Sequence, residues 1–213
     1  MTKLILIRHG ETDWNASGRL QGHRPVSLNE RGHKQARAIA NRLKTSTFHA
    51  LYSSDLKRTL QTAEAIVGCS PCPIQTDPRL REWDLGILSG LSHAEAEAQH
   101  PQAYTIYKFN RVNESIPNGE SIHSRFTRVT ACLEELSSRH PHQTLVIVTH
   151  GGPLADCYRR TTHLSLDEPV GVELYNAGLN LITIDSGAWS LDTWGDIDHL
   201  KDIGSLGDWE GRK

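Results

Sequence analysis

The sequence turns on Leu4-Ile5-Leu6-Ile7-Arg8-His9-Gly10-Glu11-Thr12, which runs on to Trp14-Asn15. Four apolar residues in succession predict a strand buried on both faces, since only such a strand hides every side chain of the run. The run stops at a cation, an imidazole and a glycine. In open α/β sheets the C-terminal strand ends border the crevice where ligands bind. A lone Arg-His pair there would read as a solvated strand end. The reading changes because Leu145-Val146-Ile147-Val148-Thr149-His150-Gly151-Gly152 repeats the pattern. Two buried strands of one polarity, each delivering His-Gly, place His9 and His150 side by side.

The 213 residues suit one α/β domain spanning 1–213, at most with a small cap. Hydrophobic residues make up 37% of the chain, enough for a full core. A net charge of −2 gives no global argument for nucleic acid or a membrane surface, so any anion site is local. No apolar run reaches the roughly 18 residues of a membrane span. Met1-Thr2-Lys3 leads into a strand without a signal-peptide pattern, so the expected location is cytoplasmic. Cys69-Ser70-Pro71-Cys72 has CxxC spacing, but no second pair or suitably spaced His follows, and it closes a helix rather than opening one. It is therefore read as neither a metal knuckle nor a redox pair. Cys132 and Cys157 read as small core residues.

From Glu11 to Pro25 the chain reads as a polar loop. A capping box at Ser27-Leu28-Asn29-Glu30 predicts a helix with Ala36, Ile39, Ala40 and Leu43 buried. A strand at 50–52 follows, then a helix capped by Ser53-Ser54-Asp55, with Arg58 in its first turn and off the apolar stripe. A cation at that end of the dipole suggests an anion-directed role. A strand at 74–76 and the loop Leu80–Gly86 come next. Residues 89–117 read as an inserted cap too short for its own core, with one short helix opening at Ser92-x-x-Glu95. Ile122, Phe126, Val129, Leu133 and Leu136 mark an amphipathic helix. Pro153 is placed at the first position of the helix after His150. Strands are predicted at 172–175, 179–184 and 189–193, close enough for antiparallel pairing. The resulting class is an α/β three-layer sandwich with a mostly parallel mixed sheet. His140 and His142 read as surface residues.

His9, His150, Arg8 and Arg58 thus form a candidate constellation. Two guanidiniums match the fork geometry of a phosphate, and a phosphomonoester carries about −1.5 to −2 charges near neutrality. Two arginines, one protonated imidazole and the amides of Gly151 and Gly152 would balance it. A metal held by His9, Glu11 and His150 is the competing chemistry. Arg8 would repel such a cation, and His-x-Glu on a turn is not a metal-helix spacing.

With these residues the chain resembles the histidine phosphatase superfamily, which includes the cofactor-dependent phosphoglycerate mutases. Arg8-His9-Gly10-Glu11-Thr12 with Trp14-Asn15 is similar to its Arg-His-Gly signature, and Ser53–Thr59 to its second arginine motif. Arg81-Glu82 with Gly86 and Gly90 resembles its acid loop, Asn118-Gly119-Glu120-Ser121 its pre-helix turn, and Thr149–Gly152 its second histidine. Pro25 and Ser27 depart from the family's usual Asp and Pro, which bears on the contacts of that loop.

The resemblance implies a metal-independent, cofactor-free phosphatase acting on a small phosphate ester. His9 would become phosphorylated, its other ring nitrogen held by a backbone carbonyl. Arg8, Arg58 and His150 would hold the phosphoryl oxygens, with Glu82 as acid and then base. Asn15, Gln21, Gly22 and Gly151 would contact the phosphate, and Tyr104, Tyr107, Lys108 and Arg111 are candidates for selecting the leaving group. The runner-up is a phosphoglycerate mutase, which needs a fuller, more cationic lid. Between Glu82 and Asn118 Lys108 and Arg111 are the basic residues, and this favours hydrolysis. A third reading, an inactive phospho-ligand module, conflicts with the complete set of reactive residues. A homodimer stays open, with Trp194 and Trp209 as candidates for packing at an interface or on the domain itself.

Overall fold

The computed structural model describes residues 1–68, 72–205 and 207. Its strands are β1 (Thr2–Arg8), β2 (Ala50–Ser53), β3 (Ile74–Thr76), β4 (Thr144–Thr149), β5 (Leu179–Asp185) and β6 (Ala188–Asp196). They form one sheet in the order β3-β2-β4-β1-β5-β6. The pairings β1–β4, β2–β4 and β2–β3 are parallel, whereas β1–β5 and β5–β6 are antiparallel. The helices are α1 (Asp13–Ala16), α2 (Glu30–Leu43), α3 (Lys57–Val67), α4 (His93–Gln99), α5 (Pro101–Lys108), α6 (Ile122–Arg139) and α7 (Gly151–Thr162). None among the described residues is long and apolar enough to cross a membrane.

Strand alternation divides the core in two. Leu4 and Leu6 of β1, with Leu145 and Ile147 of β4, pack against Val129, Leu133 and Leu136 of α6 and Leu154 and Cys157 of α7. Ile5 and Ile7, with Val146 and Val148, face Ile39 and Leu43 of α2 and Ala63 and Ile66 of α3. The chain leaves β1 for a helix on one face and leaves β4 for a helix on the other. Neighbouring parallel strands whose connections diverge in this way open a crevice at their C-terminal ends. A third cluster joins Ala96, Ala103, Tyr104 and Ile116 of the 89–117 segment to Leu20, Trp83, Leu85 and Leu88. The insertion thus buries its apolar side on the loops around the crevice.

Local departures have identifiable causes. Asn29, not Ser27, caps α2 by accepting from the Gly32 amide at 2.8 Å. The Leu28 amide is already bound to Gln61 Oε1, so the helix starts later than the Ser27 box implies. At α3 the N-cap is Leu56, which makes no side-chain cap. Ser54 Oγ accepts from the Leu56 amide, and Asp55 is drawn away to Arg81 at 2.6 and 2.5 Å. Pro153 is the third residue of α7, where its missing N–H is still one of the helix's unpaired donors. The expected polar loop contains the one-turn α1, boxed by Thr12 and Asn15. Residues 172–175 form no strand, and the Leu174 carbonyl instead accepts from Arg8 Nη1. The insertion has a second helix, α5, begun by Pro101. His140 is half-buried and bonded to Tyr52 and Gln143, while His142 is exposed. Trp194 packs edge-on against Tyr158, whereas Cys69 and Trp209 lie outside the described residues.

Arg125 of α6 and Asp156 of α7 make a two-pronged ion pair at 2.8 and 2.9 Å, both side chains buried. Removing one partner strands a buried charge, so Asp156→Ala is expected to lower unfolding free energy by about 3–5 kcal/mol in urea denaturation. A loss below about 1 kcal/mol would place the pair with solvent-screened ion pairs.

Candidate active site

Arg8 lies opposite Thr149 in the β1–β4 ladder, and the His9 amide donates to the Thr149 carbonyl at 3.0 Å. The pairing carries the two imidazoles to a centroid separation of 5.2 Å, edge to face at 62°. His9 borders a cavity of about 190 Å³ at the strand ends. Arg8, Arg58, Glu82, Asn15, Gln21, Gly22 and Gly151 border it too. His150 is fully buried beside His9 as the backbone N-cap of α7, with its Nδ1 unpartnered among the described residues.

His9 Nδ1 lies 2.7 Å from the Gly10 carbonyl. A carbonyl can only accept, so Nδ1 carries the ring proton and Nε2 keeps its lone pair. Arg58 Nε–H donates to that lone pair at 3.1 Å. Burial, then the Arg58 and Arg8 guanidiniums, hold the His9 pKa well below its ordinary value. His150 is held down by burial and by Arg58. Both rings are therefore uncharged near neutrality, in place of the protonated imidazole expected from the sequence. Positive charge comes from the guanidiniums. Burial lowers Arg58 to about 10, which leaves it cationic near neutrality. Its Nη1 and Nη2 donate to the Arg24 and Gly22 carbonyls at 3.1 and 2.9 Å. Gly22 thus turns its carbonyl to Arg58, so the loop marked by Pro25 and Ser27 helps to hold the cation.

Glu82 lines the cavity, with Oε1 accepting from the Trp83 amide at 2.8 Å and the Gly152 amide at 3.0 Å. The Gly152 amide, expected to face the phosphate, instead aims this carboxylate from the positive end of α7. A Cβ on Gly152 would sit 2.3 Å from Glu82 Oε1 and 3.0 Å from Arg125 Nη1. The backbone of the acid loop is also fastened. Arg128 donates to the carbonyls of Arg79, Arg81 and Glu82 and pairs with Glu120, and His23 Nε2 donates to the Glu82 carbonyl at 2.8 Å.

Sequence reasoning missed Arg128, His23, Arg125, Trp83, Arg19 and His93. Arg125 had a signal: it lies three residues after Ile122 and four before Val129, on the buried stripe of α6, and it takes the inward place assigned to the half-buried Phe126. Arg125 lines the cavity 5.2 Å over the Trp83 ring. Arg19 also lines it, paired with Glu95 at 2.9 Å. Tyr107 and His93 face the cavity from the insertion, and Tyr104 is buried in the third cluster. Lys108 and Arg111 do not line it and pair with Glu97 and Glu114. Asn15 Oδ1 accepts from the Thr12 amide and hydroxyl, which fixes the side chain on the wall. Glu11 is buried and bonded to Asn29 and Arg31. Among the described residues no group of three or more His, Cys, Asp and Glu gathers as metal ligands would.

The sequence profile of the histidine phosphatase superfamily (branch 1) matches residues 4–197. The metal-independent phosphoserine phosphatase of Arabidopsis thaliana is 39% identical over 209 residues, covering 97% of this chain and 86% of that protein. Phosphoglycerate mutase-like protein 4 of the same plant is 36% identical over 208 residues, covering 96% and 89%. A phosphoserine phosphatase variant from Entamoeba histolytica, solved with phosphoserine, superposes with a TM-score of 0.83 at 28% identity, covering 94% of this chain and all of that one.

Because a Cβ on Gly152 meets the movable end of Glu82 and also presses on the buried Arg125, Gly152→Ala is expected to displace the Glu82 carboxylate and to lower the melting temperature modestly. It should lower kcat by roughly a hundredfold, the order of effect of a misplaced catalytic group; unchanged turnover would contradict the contact. The depressed His9 and His150 pKa values have a definite sign: the native rings stay neutral as pH falls past their ordinary value of about 6.5. Nitrogen-15 NMR at about pH 6 should show both neutral, and a His9 midpoint near 6.5 would contradict the burial argument.

Proposed function

This chain belongs to branch 1 of the histidine phosphatase superfamily, and on that premise we propose that His9 carries the phosphoryl group between a small phosphate ester and water. The enzyme is a phosphomonoesterase. The observation that carries the assignment of His9 is its tautomer: Nδ1 is tied to the Gly10 carbonyl, which leaves Nε2 as the nucleophile. In the first step Nε2 attacks phosphorus, the P–O ester bond breaks, and the proton carried by the monoanionic ester passes through Glu82 to the departing oxygen. In the second step Glu82 takes a proton from water, whose oxygen displaces His9 and releases inorganic phosphate. Arg8 and Arg58 hold the equatorial oxygens, where positioned charge lowers the barrier most. His150 adds a neutral donor. Asn15, Gln21 and Gly151 complete the phosphate side of the cavity.

The leaving group rests toward Trp83, Tyr107, His93 and Arg125. The similarity to two phosphoserine phosphatases supports a carboxylate-bearing metabolite such as phosphoserine. Hydrolysis is favoured over phosphoryl return to the substrate, because the insertion's basic residues pair with surface acids and Arg19 and Arg125 are themselves paired. The reading takes residues 1–213 as one domain, working without a metal in the cytoplasm.

Rapid quenching with phosphorus-32-labelled phosphoserine is expected to trap an acid-labile phosphoprotein that disappears in His9→Ala, with turnover undiminished in chelator. A label surviving in His9→Ala would move the nucleophile elsewhere. Supplied with 3-phosphoglycerate and 2,3-bisphosphoglycerate, the enzyme should release phosphate faster than it interconverts isomers; the reverse ratio would make it a mutase.

A further inference from the structure

A neutral imidazole can donate from only one nitrogen, so what His150 offers the site depends on which nitrogen holds its proton. Burial and the neighbouring Arg58 keep the ring neutral, and protonation therefore does not settle the matter. Its surroundings do. Nε2 lies 2.9 Å from Ser54 Oγ, and Nδ1 is buried with no partner among the described residues. Ser54 is itself fully buried just beyond β2, and its amide donates to the Val148 carbonyl at 3.0 Å, which fixes the residue beside the end of β4.

The hydroxyl has one hydrogen and two lone pairs. The Leu56 amide donates to it at 3.3 Å. Among the described residues the one acceptor offered to its hydrogen is His150 Nε2. Were Nε2 protonated instead, two donors would converge on Oγ and its buried hydrogen would have no acceptor. With the proton on Nδ1, the one donor left unmet among the described residues is the N–H that a phosphoryl oxygen can accept from. In the Nε2–H form the bare Nδ1 lone pair would repel a phosphoryl oxygen rather than bind it.

We propose that Ser54 is a positioning residue that sets the His150 tautomer: its hydroxyl donates to Nε2, Nδ1 keeps the ring proton, and Nδ1–H donates to the transferring phosphoryl oxygen. The two histidines then share one tautomer and play opposite parts. The Gly10 carbonyl holds His9 Nδ1–H and leaves Nε2 to attack, whereas Ser54 occupies His150 Nε2 and leaves Nδ1–H to bind. The proposal rests on the reading that His150 holds the phosphoryl group.

The test is nitrogen-15 NMR of histidine-labelled protein, with the His150 signals assigned by their loss in His150→Asn. In the free wild type His150 should show a pyrrole-type Nδ1 and a pyridine-type Nε2, and inorganic phosphate should shift Nδ1. In Ser54→Ala the proton should move toward Nε2. That variant's kcat on p-nitrophenyl phosphate should fall roughly 100- to 1,000-fold with KM little changed, the size of effect of losing one preorganised donor. A pyridine-type Nδ1 in the wild type, or an unaltered tautomer in Ser54→Ala, overturns the role of Ser54. If Ser54→Ala does not fold, the wild-type spectrum decides alone. A protonated Nδ1 that ignores phosphate refutes the phosphoryl-holding reading and with it the donor role, a result distinct from the wrong tautomer.

Discussion

Everything in this molecule depends on the parallel pairing of β1 with β4. Register in a sheet is unforgiving, because a slip of one residue sends each side chain to the opposite face. Here Leu4 and Leu6 fill one core while Ile5 and Ile7 fill the other, and β4 divides its residues in the same way. A slip would exchange the two sets against helices shaped for the other, so hydrophobic packing far from the cavity places Arg8 opposite Thr149. The two histidines follow their strands by one residue each. Their 5.2 Å separation is a consequence of that register.

Around this pair the protein gathers cations although its net charge is −2. It does so by sorting the arginines. Arg19, Arg81, Arg125 and Arg128 each meet a carboxylate, and so act as braces for the loops and helices that surround the cavity. Arg58 is different. It is fully buried, held by two carbonyls and by the His9 nitrogen, and it carries its charge into the site. Neutral partners orient it without cancelling it. The same guanidinium helps keep both imidazoles unprotonated, so the cation proposed to attract the anion would also preserve the proposed nucleophile.

The two His-Gly strand endings were legible because a run of four apolar residues has few alternatives to a buried strand, and Arg58 because a cation off the apolar stripe stands at the dipole's positive end. The antiparallel pairing of β5 with β6 was readable from the closeness of the strands predicted at 179–184 and 189–193. What escaped was set by partners distant in sequence. Ser27 looked like a cap until Gln61 took the Leu28 amide. The Gly152 amide looked ready for phosphate, but the Glu82 carboxylate reaches it first. Residues 172–175 had strand composition, yet their backbone serves Arg8. Arg128 and His23 act through backbone carbonyls of the acid loop, which leave no mark in side-chain patterns. Similarity to a known family located Glu82; geometry explains how it is aimed.

The most direct measurement is a crystal structure of the enzyme with orthovanadate, which adopts the five-coordinate geometry of phosphoryl transfer. The account predicts vanadium in line with His9 Nε2, equatorial oxygens on Arg8, Arg58 and His150, and the apical oxygen opposite His9 facing Glu82. Vanadate seated elsewhere in the cavity, with His9 Nε2 still bonded to Arg58 and out of reach of the metal centre, would contradict it.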